Sequence, residues 1–268
     1  MPDRAPEHCL FHVIPAPVEE TVSYGGGTSR GPQAILDASV QLEAFDGISC
    51  PCEHGIHTTP PVRTFDAIEQ AVSQVLAHQR IPVILGGEHA VTNGVLRALK
   101  KLDRPVGIVQ FDAHADLRDT YEGNPHSHAC VMRRALDSGF DIFQIGVRAL
   151  SLDEHQLRRR LNIGHLDAEV IARRGIPDDL LPADFPSHIF ITFDVDALCP
   201  SLMPATGTPE PGGLTWWQTM TCLQHLADIR TIIGFDVVEL APIANLHASD
   251  FTAARLTYNV MGMIARSG

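Results

Sequence analysis

The chain has 268 residues, 44% of them hydrophobic and only 6% aromatic, enough for a sizeable core built from aliphatic side chains. Its 32 acidic against 20 basic residues give a formal charge of −12. That balance argues against nucleic acid or an anionic membrane as partner, since both need a positive surface, and it suits metal ions or a cationic substrate.

The first ten residues are polar and carry no apolar targeting core. No apolar run is long enough to span a bilayer, so a cytoplasmic location is expected. Leu10 to Ile14 reads as the first strand. The Pro/Gly-rich stretch from Tyr24 to Pro32 follows; its Gly25-Gly26-Gly27 run lacks the lysine and spacing of a P-loop and reads as a structural turn. Gly31-Pro32 places a proline just inside a helix start, ahead of Ile35, Ala38 and Leu42. Cys50-Pro51-Cys52 has no second cysteine pair to complete a thiolate site and reads as a loop, and the six cysteines together do not form a disulfide framework.

Ile68, Val72, Val75 and Leu76 form an amphipathic helical stripe. Further strands are expected at Ile81 to Leu85, Val106 to Phe111, Ile142 to Val147, His188 to Phe193 and Thr231 to Phe235. Ser151 with Glu154, and Thr215 with Gln218, read as capping boxes that open helices. Pro200 to Gly213 is too long for an ordinary turn and suits an active-site loop. Apolar strands without alternation, interleaved with helices, predict a parallel sheet covered on both faces. One domain over residues 1–268 is expected, with no internal repeat.

Three of these strands run into metal-competent groups, where sites form in open parallel sheets. The first leads through Gly86-Gly87-Glu88 to His89, the glycines permitting a sharp turn. The second leads into Asp112, His114 and Asp116 at two-residue spacing, which in extended backbone puts them on one side. The third leads into Asp194 and Asp196. Four carboxylates this close cannot all stay ionised without compensation. Two divalent cations balance them, with both histidines bound as neutral imidazoles. A donor set of oxygen and some nitrogen, without thiolate, favours manganese over zinc, cobalt, nickel or iron.

With these motifs, and with Gly146-Val147-Arg148 and Asp236-Val237-Val238-Glu239, the sequence resembles the ureohydrolases, the arginase and agmatinase superfamily. The resemblance runs from about Tyr24 to the C-terminal helix. It implies a three-layer α/β/α fold around a mainly parallel eight-stranded sheet, two Mn²⁺ per subunit, and a homotrimer or homohexamer. One ion would take His89, Asp112, Asp116 and Asp194; the other would take His114, Asp112, Asp194 and Asp196. It implies hydrolysis of a guanidino group to urea and an amine by a metal-activated hydroxide. Glu239 would grip the guanidinium and His128 would pass a proton to the departing amine, with His126 as its rival. Thr206, Gly207 and His126 would also contact the substrate.

Within the superfamily, Arg118 and Ser151 stand where arginases carry Asn and a head-group-binding Asp. The stretches Asp112 to Arg118, Tyr121 to Arg134 and Thr206 to Gly213 resemble agmatinases. The implied substrate is a small cationic guanidine, agmatine, giving putrescine and urea. Guanidinobutyrate or guanidinopropionate is the alternative. Cys199 departs from the family, which usually has Asp there. A single-metal amide hydrolase of the deacetylase type would not need His89 and Asp116, and a non-catalytic relative would not need the full set of turnover residues.

Overall fold

The computed structural model describes residues 4–267. Eight parallel strands form one sheet: β1 (Phe11–Ala16), β2 (Ile56–Thr58), β3 (Ile81–Gly86), β4 (Val106–Phe111), β5 (Asp141–Ile145), β6 (Gly164–Leu166), β7 (His188–Asp194) and β8 (Thr231–Val238), in the order 2-1-3-8-7-4-5-6. The helices are α1 (Gly31–Ser39), α2 (Phe65–Ala77), α3 (Thr92–Leu99), α4 (Val131–Asp137), α5 (Leu152–Arg160), α6 (Ala168–Arg174), α7 (Trp216–Ile229) and α8 (Ala248–Ser267).

Side-chain alternation along the strands builds a core on each face of the sheet. In β4, Val109 and Phe111 join Ile35 of α1, Leu223 of α7 and Leu256 of α8. Val106 and Ile108 point the other way, to Ile68 of α2, Val95 of α3 and Met132 of α4. This is the expected α/β/α arrangement: the strands read as largely apolar, non-alternating runs because both faces are covered. Each fully buried aliphatic side chain contributes about 1.5–3 kcal/mol.

The six strands expected from the apolar runs are all present, with β4 matching end to end. Strands β2 and β6 were not legible. Each has three residues, lies at a sheet edge, and includes a histidine or glycine in place of a buried run. Helix α1 ends at Ser39, short of Leu42. All six cysteines are free. No helix among the described residues is long and apolar enough to cross a membrane.

The glycines after β3 act differently from the expected turn. Neither Gly86 nor Gly87 takes a positive φ. Gly87 is instead clamped against the loop after β1: its N–H donates to the Ala16 carbonyl at 2.9 Å, and Glu88 N–H donates to the Val18 carbonyl at 2.9 Å. A Cβ at Gly87 would lie 2.0 Å from the Val18 carbonyl oxygen. Close backbone approach, then, excludes a side chain here. Gly87→Ala is expected to destabilise the fold by about 3 kcal/mol in urea unfolding, as overpacking against backbone does; a change below about 1 kcal/mol would show that the two segments can separate freely.

Candidate metal centre

The three strands that lead into the candidate ligands, and β8, which leads into Glu239, are neighbours at the middle of the sheet, in the order β3, β8, β7, β4. His89 follows β3 in a 3-10 turn and is 1% exposed. Its Nε2 lies 2.8 Å from the Thr192 hydroxyl, which donates to Asp236 Oδ1 at 2.7 Å. Thr92 donates to the other Asp236 oxygen at 2.8 Å. With its hydrogen committed to Asp236, the Thr192 oxygen can only accept from His89. The ring proton therefore belongs on Nε2, and the Nδ1 lone pair faces the site.

That Nδ1 is the strongest indication of a metal. It is buried without a hydrogen-bond partner, yet carboxylate oxygens of Asp112, Asp116 and Asp194 stand 3.1, 3.0 and 3.6 Å away. A lone pair and anionic oxygens converging in a buried space fit a cation between them. On the other side, His114 Nδ1 lies 3.0 Å from Asp196 Oδ2 and 3.5 Å from Asp112 Oδ1. Two sets of ligand atoms are tight enough to hold an ion: His89, Asp112 and Asp194, and Asp112, His114 and Asp196. Asp112 belongs to both; Asp194 appears only in the first.

The electrostatics agree with the geometry. Burial opposes a proton on His89, but Asp112 and Asp116 outweigh it and lift the imidazole well above its ordinary pKa. His114 is only half-buried; desolvation opposes its proton too, but Asp112 with Asp196 lifts it to about 11. Burial, then the charge of Asp112, pushes Asp116 up to about 7. Burial and the neighbouring Asp196 and Asp112 also raise Asp194. The cluster draws in protons because its negative charge exceeds what surrounds it, and divalent ions would displace them.

Local turns, rather than strand alternation, bring these groups together. Strand β4 ends at Phe111, and Asp116 has φ +51°. This left-handed backbone is held by two hydrogen bonds, from Arg133 N–H to the Asp116 carbonyl at 3.1 Å and from Leu117 N–H to Glu154 Oε1 at 3.0 Å. Asp196 lies in a 3-10 turn and its N–H donates to Asp194 Oδ1 at 2.8 Å. Glu239, directly after β8, also has a positive φ, +66°. Such conformations are uncommon for non-glycine residues and gather at functional sites.

Glu239 is 7% exposed, and its Oε1 accepts from His89 N–H at 2.6 Å. Burial, with Glu88 and Asp196 adding to it, pushes its carboxyl up to about 8. His128 precedes α4, and its Nδ1 is 3.2 Å from the Thr21 hydroxyl. Burial, then the positive charge of His89, pushes it down to about 4. Glu239, His128 and Gly207 line one cavity of about 440 Å³ that reaches His89, His114, Asp116, Asp194 and Asp196.

Two of the expected substrate contacts lie elsewhere. His126 lines a separate groove with Arg97 and Lys100, its ring against Phe65, so His128 alone of the pair reaches the cavity. Thr206 is buried and is not part of the cavity lining; its neighbours Gly207 and Thr208 are. Cys199 is in neither ligand set.

Several supporting residues escaped the sequence reading. Gln144, Gln110, Thr192 and Asp236 sit in register across β5, β4, β7 and β8. Gln110 Nε2 donates to Asp112 Oδ2 at 2.8 Å, and Gln144 Nε2 donates to Gln110. Polar side chains inside apolar strands were the available signal. Glu88 is fully buried and accepts from Thr21 N–H at 2.6 Å and Glu20 N–H at 3.1 Å, which holds the threonine against His128.

Fold and site together define a hydrolase of the metal-dependent amidino type, and the chain belongs to the arginase family, whose sequence model matches residues 10–262. It is 39% identical to an N(1)-aminopropylagmatine ureohydrolase from Synechocystis, across 93% of this chain and 87% of that one. An agmatinase from Pyrococcus horikoshii is 32% identical across 96% and 92%. The crystal structure of an agmatine ureohydrolase of Thermoplasma volcanium superposes with a TM-score of 0.87 at 29% identity, covering 98% of this chain and 92% of that one.

Metal analysis after loading with Mn²⁺ is expected to give two ions per chain, and Asp112→Asn to lose both. Loading at about 100 times Kd should stabilise the fold by about 2.7 kcal/mol per ion, read as a rise in Tm. One ion per chain in the saturated protein would contradict the shared-carboxylate arrangement.

Proposed function

We propose that this enzyme hydrolyses guanidines with a cationic amine tail, agmatine or its N1-aminopropyl derivative, to urea and the free amine, with two divalent ions as cofactor and manganese as the preferred metal. The observation that carries this is the buried Glu239 carboxylate, placed in the same cavity as two histidine–aspartate sets. The names of the relatives support an amine-tailed substrate.

A guanidinium carbon is a poor electrophile. The ions, when bound by His89, Asp112, Asp116 and Asp194 and by His114, Asp112 and Asp196, would activate water as a nucleophile near neutral pH. Glu239 orients the substrate. One of its oxygens already accepts from His89 N–H, and a carboxylate has lone pairs left to receive two guanidinium N–H groups side by side. The incoming cation also offsets the charge that burial makes unfavourable on Glu239. His128 has a neutral imidazole at neutral pH, fit to pick up a proton and deliver it to the amine nitrogen as the C–N bond breaks. Thr21 fixes that ring from one side and Tyr121 packs against it at 5.8 Å.

A carboxylate-tailed substrate has less support. Apart from the histidines, the basic side chain on the cavity lining is Arg118, and it stands 3.9 Å from Glu154.

Urea release should require added metal and fall away with chelator. Glu239→Gln is expected to lower kcat/KM for agmatine by about 100-fold or more while both ions stay bound. His128→Asn should lower kcat by about 100-fold, again with both ions retained. Near wild-type turnover in either variant would remove the role given to that residue, and loss of an ion from the His128 variant would make it a ligand.

A further inference from the structure

Six carboxylates line the cavity: Asp116, Asp194, Asp196, Glu154, Glu210 and Glu239. Five are committed. The three aspartates belong to the histidine–aspartate cluster, and Glu239 faces His89 N–H. Glu154 Oε1 accepts from Leu117 N–H; its Oε2 accepts from Ser151 N–H and the Ser151 hydroxyl, both at 2.7 Å, with Arg118 alongside. This leaves Ser151, too, absorbed in its helix cap. The side chain of Glu210 makes no hydrogen bond or ion pair among the described residues and is half-buried on the cavity wall.

The backbone of Glu210 is nonetheless held firmly. Arg148 donates from Nη2 to the Glu210 carbonyl at 2.8 Å and from Nε to the Pro211 carbonyl at 3.0 Å. The same guanidinium donates to the Asp196 carbonyl at 2.7 Å and the Gly146 carbonyl at 3.1 Å. A Cβ on Gly213 would come within 2.6 Å of Arg148 Nη2, so the end of this loop is shaped around the guanidinium. A rigid planar fork thus ties the loop carrying Glu210 to the turn carrying Asp196. Glu210 has a fixed place relative to the reacting end, and a free charge.

We infer that Glu210 is the residue that selects the amine tail, its carboxylate facing the ammonium while Glu239 faces the guanidinium. This rests on the amine-tailed substrate proposed above. Charge supports it: beyond the ligand cluster, Arg118 and Glu154 cancel, which leaves the carboxyl groups of Glu239 and Glu210 to face a substrate with a cation at each end, the guanidinium itself favouring the charged form of Glu239. A carboxylate tail would meet repulsion at the same place.

Steady-state urea release from agmatine, uncharged butylguanidine and 4-guanidinobutyrate separates the tail from the reacting group. Glu210→Gln is expected to raise KM for agmatine about 2- to 5-fold, as loss of a part-exposed ion pair does, with kcat within about 2-fold and butylguanidine unaffected. Glu210→Lys should raise the agmatine KM further and lower that for 4-guanidinobutyrate. Unchanged agmatine KM in both variants would overturn the assignment, and so would an equal loss on agmatine and butylguanidine, which marks a structural role. Wild-type protein that releases urea from none of these guanidines would instead overturn the proposed function, before any variant is compared.

Discussion

Asp112 is the point on which the rest of the structure turns. Each of its carboxylate oxygens faces a different imidazole, His89 on one side and His114 on the other, with Asp116, Asp194 and Asp196 crowding the same buried space. Such a concentration of negative charge is unfavourable in a protein interior unless cations are present. The α/β/α sandwich therefore does more than bury apolar surface. It holds four aspartates where they repel one another, and the free energy of metal binding would then become part of the stability of the fold.

What keeps the repelling groups in place lies beneath them. One register line across the four strands β5, β4, β7 and β8 carries Gln144, Gln110, Thr192 and Asp236 instead of aliphatic residues. Gln110 orients Asp112, and the Thr192–Asp236 pair sets the tautomer of His89. Above the sheet, the left-handed backbone of Asp116 and Glu239 turns both carboxylates back toward the centre. Strain and desolvation are thus concentrated in a few residues, with unbroken apolar layers on either side to hold them.

Much of this was legible in the sequence because the signals were strong and local. The runs that became β4 and β7 are mostly apolar and run into acidic groups, which places both strands and candidate ligands together. Strands β2 and β6 could not be seen, since three residues at a sheet edge carry too little pattern. The two-residue spacing of Asp112, His114 and Asp116 pointed to residues that the fold does bring together, but for an incomplete reason: convergence depends on a left-handed residue, whose conformation is set by Arg133 and Glu154 from distant elements. His126 and His128 were equally eligible by type. Tertiary packing separates them, turning one toward Phe65 and the other toward Thr21 and the cavity. The role of Arg148 was hidden for the same reason, as its partners are carbonyls from three segments and carry no side-chain signature.

The central claim is that one shared carboxylate holds two cations side by side, and electron paramagnetic resonance of the Mn²⁺-loaded protein tests it most directly. Two ions joined through Asp112 should give the multiline spectrum of an exchange-coupled pair, and Asp112→Asn should abolish it. A spectrum of isolated Mn²⁺ at full loading would contradict the claim: the ions would share no ligand, and the burial of these aspartates together would need another cause.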